Sequence, residues 1–334
     1  MIPINTPTNT TFASLPPHLY KKQWPQYVLK LRNVYLGGGG AIYDENGELH
    51  PHANFTYNFW DNLHNEGARP NNTLESQDIK KNINLADYTI KELPEKKNYI
   101  YAHHYFNIYV YGHNFDVFQD LQKIEGLSIP DKILIMPPRS AHVTNLNLHL
   151  ELLGYPRDRT LSLNLPGRTA CDTVYRVPTL YYPSPTAYPS QRTLVGLDYL
   201  RSKYYPLCKT YPSSTKLYLQ RTTSRRVKNE DEVIPLLKNK GFTILNGTEG
   251  LAEHVRQFRN ASIIIGAHGS LLANLIFSEK KPRVYEACPK SREDHNFEGI
   301  GKTMKLDYHW IATDCCADYS INLDIKQLKK ICQI

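Results

Sequence analysis

Two arginines, a glycine-flanked histidine and a buried-strand glutamate carry most of the chemistry legible in this chain. Arg221, Arg225, Arg226 and Lys228 fall within LeuGlnArgThrThrSerArgArgValLysAsnGlu (219–230), and Asn229 and Glu230 close that stretch. Guanidinium groups match phosphate oxygens bidentately. Further on, the apolar run of AlaSerIleIleIleGlyAlaHisGlySerLeuLeuAlaAsnLeuIlePhe (261–277) breaks at Gly266, and Gly269 opens a helical pattern. A strand that turns tightly into a helix exposes unpartnered amides where the helix dipole favours an anion. His268 and Ser270 add side-chain donors there, and a diphosphate is the expected ligand. Glu286, ending ArgValTyrGluAla, is expected to accept from ribose hydroxyls. A third cluster, TyrGlyHisAsnPheAspValPheGlnAspLeu (111–121), puts His113, Asp116 and Asp120 on one helical face. A histidine oriented by a carboxylate can accept a proton from an attacking hydroxyl.

Each set also has a plainer role. The arginines alone read as a basic surface loop. His268 alone reads as a residue that fixes its turn, which is compatible with binding. Glu286 alone reads as half of an ion pair, and the 113–120 cluster as a capping histidine with two solvated acids. Other chemistries are excluded by spacing. GlyAlaHisGlySerLeu is neither GxSxG nor GxGxxG, which lowers hydrolase and dinucleotide oxidoreductase readings. Gly37–Gly40 lacks the spacing of a phosphate loop. There is no Asp-x-Asp and no CxxC, and His50, His52, Asp61 and His64 have no recognised ligand spacing, so no metal site is expected.

The elements that must hold these residues alternate. Leu31–His50 reads as paired short strands with turns at 37–40 and 44–47, and 65–95 as a polar surface insertion. Strand 101–111, helix 113–124, strand 132–136, helix 140–153 and strands 160–165 and 172–182 follow. The proline-rich segment 181–190 reads as a linker. Beyond a helix at 191–203, strands 216–221, 242–245, 262–267, 283–287 and 307–312 are separated by helices 229–240, 248–260 and 269–277, with a last helix at 324–331. Asn229 is expected to cap its helix with Glu232 in the capping-box place. Single helices between strands imply a parallel, doubly wound sheet, with ligands at the carboxyl ends of its strands. Arg221, Gly266–Ser270 and Glu286 all fall there.

Length and composition agree. The 334 residues suggest two domains, 1–190 and 191–334. The net charge of +8 suits an acidic ligand, but it is dispersed, which argues against nucleic acid. No stretch is apolar for long enough to span a membrane, and no signal pattern opens the chain, so the expected location is cytoplasmic.

The block 216–288 resembles the catalytic region of glycosyltransferase family 61. That family shows a strand ending in Ser-Arg, a further Arg, Asn-Glu opening a helix and a Gly-Phe strand. A pattern A-h-h-h-G-x-H-G-x-x-h-x-N-h-h-F then precedes a strand ending in Glu with Pro after it. Arg221, Arg226, Asn229–Glu230, Gly241–Phe242, Ala261–Phe277 with Asn274, and Glu286 with Pro289 match in order. Residues 112–121 are similar to the family's Gly-His-Phe helix. Gln220 stands in place of the family's Ser, and Ser270-Leu271-Leu272 in place of Ala-Gly-Leu.

The resemblance implies an α/β fold of two Rossmann-like domains facing a cleft (GT-B-like), with residues 322–334 packing back across the domains. It implies inverting, metal-independent transfer of a sugar, GlcNAc or xylose, from a UDP-sugar to a hydroxyl of a glycan or protein acceptor, without a cofactor. His113 or Asp116 is then the base. Arg221, Arg226, Asn229, Gly266, His268, Gly269, Ser270 and Glu286 bind the nucleotide. The family's secretory anchor is not seen, which fits either a bacterial or viral origin or a chain from which the anchor was removed. The alternatives are a catalytically silent nucleotide-sugar or glycan-binding protein and a basic nucleic-acid-binding protein.

Overall fold

The computed structural model describes residues 10–13, 27–50, 53, 82–102, 111–136, 146–163, 172–184, 193–208, 214–289, 296–314 and 319–333. The chain divides into two compact units, Met1–Tyr188 and Pro189–Ile334. No described helix is long and apolar enough to cross a membrane.

The first unit holds a mixed sheet. Its strands are β1 (Thr10–Ala13), β2 (Val28–Leu36), β3 (Ile42–Tyr43), β4 (Thr89–Glu92), β5 (Asn98–Ile100), β6 (Lys132–Met136), β7 (Thr160–Ser162) and β8 (Thr173–Pro183). The described strands run in the order β1-β2-β8-β5-β6-β7, with β3 on β2 and β4 on β8. Strands β1, β2 and β8 pair antiparallel, whereas β5, β6 and β7 add in parallel. The parallel half has helical crossovers, α1 (Tyr111–Asp120) and α2 (Gln122–Glu125) before β6 and α3 (Leu146–Leu152) before β7. The sheet is therefore α/β at one edge and antiparallel at the other, a departure from a uniformly Rossmann-like reading. At the antiparallel edge β2 meets β8 across eight registered pairs.

Leu29, Leu31, Val34, Leu36, Tyr99, Tyr101, Ile135, Val177 and Leu180 form the core of this unit. The hairpin predicted at 31–50 is present, with its turn at Asp44–Gly47 tied by Asp44 Oδ1 to the amides of Asn46 and Glu48. In the expected insertion, β4 is exposed along its length. The predicted strand 101–111 falls largely outside the described residues, and β5 ends just before it.

Helix α1 is anchored by a buried ion pair. Lys123 Nζ lies 2.7 Å from Asp120 Oδ1, with only 1% and 2% of the two side chains exposed. Lys123 Nζ also donates to the Ser184 carbonyl at the end of β8. Burial pulls the Lys123 ammonium below its ordinary value, and Asp120 opposes the shift. Asp120 is thus a structural acid, not the solvated one that its helical position suggested.

The second unit is all-parallel. Strands β9 (Thr215–Leu219), β10 (Phe242–Leu245), β11 (Ala261–Ala267), β12 (Arg283–Pro289) and β13 (Asp307–Thr313) lie in the order β10-β9-β11-β12-β13. The helices α4 (Leu194–Tyr204), α5 (Glu230–Asn239), α6 (Leu251–Arg259), α7 (Asn296–Met304) and α8 (Ile325–Ile331) accompany it. The order reverses at β9, which is followed by β10 on one side and β11 on the other. This is the doubly wound arrangement predicted from the alternation. Leu328, Ile331 and Cys332 of the C-terminal stretch enter the core of this same unit with Val233, Ile265 and Tyr285. Helix α7 was not predicted.

Candidate functional site

The site is assembled at the carboxyl ends of β9 and β11 and against the middle of β12, because that strand runs on to Pro289 and places Glu286 opposite Gly266, not at the strand end expected from the sequence. The strand centres are mostly apolar because both faces of a parallel sheet are covered. Glu286, midway along β12, is a buried polar exception. Strand β9 stops at Leu219, and Arg221 lies just beyond it. Its guanidinium is held by backbone carbonyls, Nη1 donating to that of His268 at 2.9 Å and Nε to that of Ser224 at 2.9 Å. Gly269 is what makes room, because a Cβ there would stand 1.8 Å from Arg221 Nη1. The arginine predicted from the loop and the glycine predicted from the turn are one unit.

Residues Ser270–Phe277 form a 3-10 helix, not the predicted α-helix. Six of the eight are buried, so the segment is a plug of apolar side chains whose tighter turn fits it into the core. Its first amides still lack intrahelical partners. Gly266 has a packing reason: it lies beside Leu219 and Glu286 in the sheet, and a Cβ would meet Leu219 Cβ at 2.7 Å.

His268 and Glu286 come together. His268 Nδ1 lies 2.6 Å from Glu286 Oε1, and Tyr308 donates from its hydroxyl to Glu286 Oε2 at 2.5 Å. The Glu286 side chain has no exposed surface and that of His268 is 6% exposed. The expected contact of Glu286 with ribose is replaced by two protein partners. The His268 ring also packs at 5.2 Å from Phe297 of α7, and its amide donates to the Ala287 carbonyl. Burial, with the charge of Glu286 adding to it, pushes the Tyr308 hydroxyl far up, so it stays a donor. Gly301 of α7 allows the Tyr308 ring in, since a Cβ there would lie 2.6 Å from Tyr308 Cδ2. Sequence reasoning missed Tyr308 and Phe297. Their only signal was a polar-tipped aromatic on the strand beside β12 and a glycine-containing segment opposite it.

The basic loop is clasped by the C-terminal segment. Val227 bridges Ile321, and Ile321 donates its amide to the Arg226 carbonyl. Asn229 does not cap α5 with its side chain. Its amide group is drawn instead into a reciprocal pair, donating from Nδ2 to the Leu323 carbonyl and accepting at Oδ1 from the Leu323 amide. Glu230 accepts from Tyr218 and from Gln220, so the residue standing in place of the family's Ser has a local partner. Arg226 is exposed, and Arg225 takes a left-handed backbone conformation, φ 57°, at the crest of the loop.

His113 and Asp116 lie on α1, whose backbone is helical as predicted, but their side chains lie outside the described residues. His52, Asp61 and His64 also lie outside the described residues, while His50 is buried and accepts from the Ala53 amide. Among the described residues, no group of three metal-ligating side chains comes together.

The family model described as Glycosyltransferase 61 matches residues 50–285, well over half of the chain. The chain belongs to glycosyltransferase family 61 and is a glycosyltransferase, acting with a sugar donor and an acceptor. No curated protein matches it.

Proposed function

We propose that this glycosyltransferase binds a UDP-sugar on its second unit and transfers the sugar to a hydroxyl of a glycan or protein acceptor. The single observation that supports this most is Arg221, seated in the space left by Gly269 at the carboxyl end of an all-parallel sheet. A guanidinium at 221, a second arginine at 226 and the amides of Gly269 and Ser270 belong to the segments that follow β9 and β11, the region where α/β sheets take phosphates. Asn229 supports the loop instead of touching the ligand.

The reading includes inversion and no divalent cation. The acceptor oxygen attacks the anomeric carbon from the face opposite UDP and loses its proton to His113 or Asp116. The bond from the anomeric carbon to the diphosphate oxygen breaks, and its electron pair leaves with UDP. The arginines and amides meet the charge that develops there. GlcNAc and xylose are the proposed sugars, in a GT-B-type enzyme.

Calorimetry tests the donor: UDP should bind more tightly than ADP and GDP, and equal affinities would contradict the assignment. Replacing His113 and Asp116 separately should collapse turnover in one variant while sparing UDP affinity. Wild-type rates in both would remove that role. EDTA should leave the rate intact, whereas a strict manganese requirement would exclude the cation-free reading. Donor screening with mass spectrometry of the product identifies the sugar.

A further inference from the structure

We propose that the amino end of the second unit's sheet, the end away from Arg221, is a docking face for an anionic lipid bilayer. The topology lines up a row of lysines there, and no carboxylate among the described residues neutralises them.

In an all-parallel sheet every strand begins at the same end. Pairing places Phe242, Lys216, Ile263, Arg283 and Asp307 in one register row across β10-β9-β11-β12-β13. Just ahead of that row come Lys240 before β10, Lys281 before β12 and Lys305 before β13, all exposed. At about 4.8 Å between neighbouring strands the row is about 20 Å wide. Helix α8 brings Lys329 and Lys330 to the same end. Its Ile331 and the following Cys332 share a core cluster with Leu237 of α5 and Phe242 of β10. Lys216 and Lys240 act on the Cys332 thiol, opposing the upward pull of burial.

The acids at this end are already engaged. Arg259 Nε pairs with Glu279 at 2.6 Å, and Arg283 Nε with Asp307 at 2.9 Å. Among the described residues, Lys216, Lys240, Lys281, Lys305, Lys329 and Lys330 form no ion pair. A lysine in a last helical turn complements the helix dipole, which accounts for Lys329 and Lys330 locally. It does not account for Lys281 and Lys305. These take left-handed backbone, φ 48° and 55°, where glycine is the unstrained residue.

The residue types favour a bilayer over other acidic partners. Protein interfaces deplete lysine and gather aromatic and arginine anchors. Here both arginines of the row are neutralised, so the forks that grip nucleic acid are occupied too. The exposed large apolar side chains of this unit, Leu194, Val195 and Tyr319, belong to other segments. A charged bilayer asks only for cations spread over a plane.

The test is cosedimentation of the full chain with vesicles of phosphatidylcholine alone, or with about 30% phosphatidylserine, in about 0.1 M salt. Wild type should bind only the anionic vesicles and be released in about 0.5 M salt. Lys329→Gln with Lys330→Gln should lower the partition coefficient about 10- to 30-fold, at about fivefold per lysine. Lys281→Gly with Lys305→Gly should lower it comparably from the opposite edge, and glycine suits both turns. Lys96→Gln with Lys97→Gln removes the same net charge from exposed positions of the first unit. That variant should bind within about twofold of wild type, and all three should melt as wild type does.

No binding to the anionic vesicles, or equal losses in the first-unit and second-unit variants, overturns the proposal. So does tighter binding through the same lysines to a DNA duplex or to polyglutamate than to those vesicles.

Discussion

Arg221 reaches the carbonyl of His268 only because residue 269 has no side chain: Nη1 donates to that oxygen at 2.9 Å, and a Cβ on Gly269 would stand 1.8 Å from the same nitrogen. The backbone of Gly269 is extended, so alanine is tolerated there by the chain itself. Gly269→Ala is therefore expected to displace the guanidinium without unfolding the protein. UDP affinity should fall about 10- to 100-fold, the worth of a charge-assisted hydrogen bond, while the melting temperature moves little. Arg221→Ala should cost a similar amount, and the double variant should cost no more than the larger single one, because both remove one contact. Additive losses by calorimetry would mean that the two residues act separately.

Asn229 gives the opposite outcome. Both ends of its side-chain amide are occupied by the backbone of Leu323. Asn229→Ala should lower unfolding free energy by about 1–3 kcal/mol, for two hydrogen bonds lost at a half-buried position. Its UDP Kd should stay within about twofold of wild type. A large drop in affinity with unchanged stability would put Asn229 back against the ligand.

What was legible in the chain follows from the range over which each signal acts. The strands and most helices of the second unit are close to their predicted positions, because β-branched runs such as Ile263–Ile265 and amphipathic stretches are local. The conjunction of Arg221 with Gly269 was legible as adjacency at strand ends, though not as contact. The Tyr308–Glu286–His268 chain was not legible, since it depends on the register of β13 against β12. Helix α7 was missed because Gly299 and Gly301 depress helix propensity; Gly301 is needed where Tyr308 packs. The 3-10 form of 270–277 was missed because burial on all sides, not periodicity, sets it. In the first unit the antiparallel edge depends on β2 finding β8 far along the chain, which no local pattern records.

The Asp120–Lys123 pair predicts a stability effect with a clear sign. Lys123→Met leaves a carboxylate buried without its partner and removes the donor to the Ser184 carbonyl. The expected loss is about 3–5 kcal/mol in urea unfolding. Adding Asp120→Leu removes the stranded charge and should recover most of that loss. If the single variant costs under about 1 kcal/mol, the pair does not anchor α1.

His149 predicts how the first unit responds to acid. It is buried between Phe115 and Phe118, with ring centroids 5.8 Å from each, and burial lowers its pKa to about 4. In the unfolded chain a histidine titrates near 6.5. Between about pH 6.5 and 4 the unfolded state therefore binds the extra proton, and stability falls as pH falls. The contribution is fully present above about 6.5 and is lost on acidification through about 4, amounting to about 3 kcal/mol from a shift of that size. His149→Leu cannot titrate, so its unfolding free energy should fall less between about pH 7 and 4, by up to that amount, whatever the substitution does to stability at neutral pH. Parallel curves for the two proteins in urea unfolding across that range would show that the buried ring is not the acid-sensitive group.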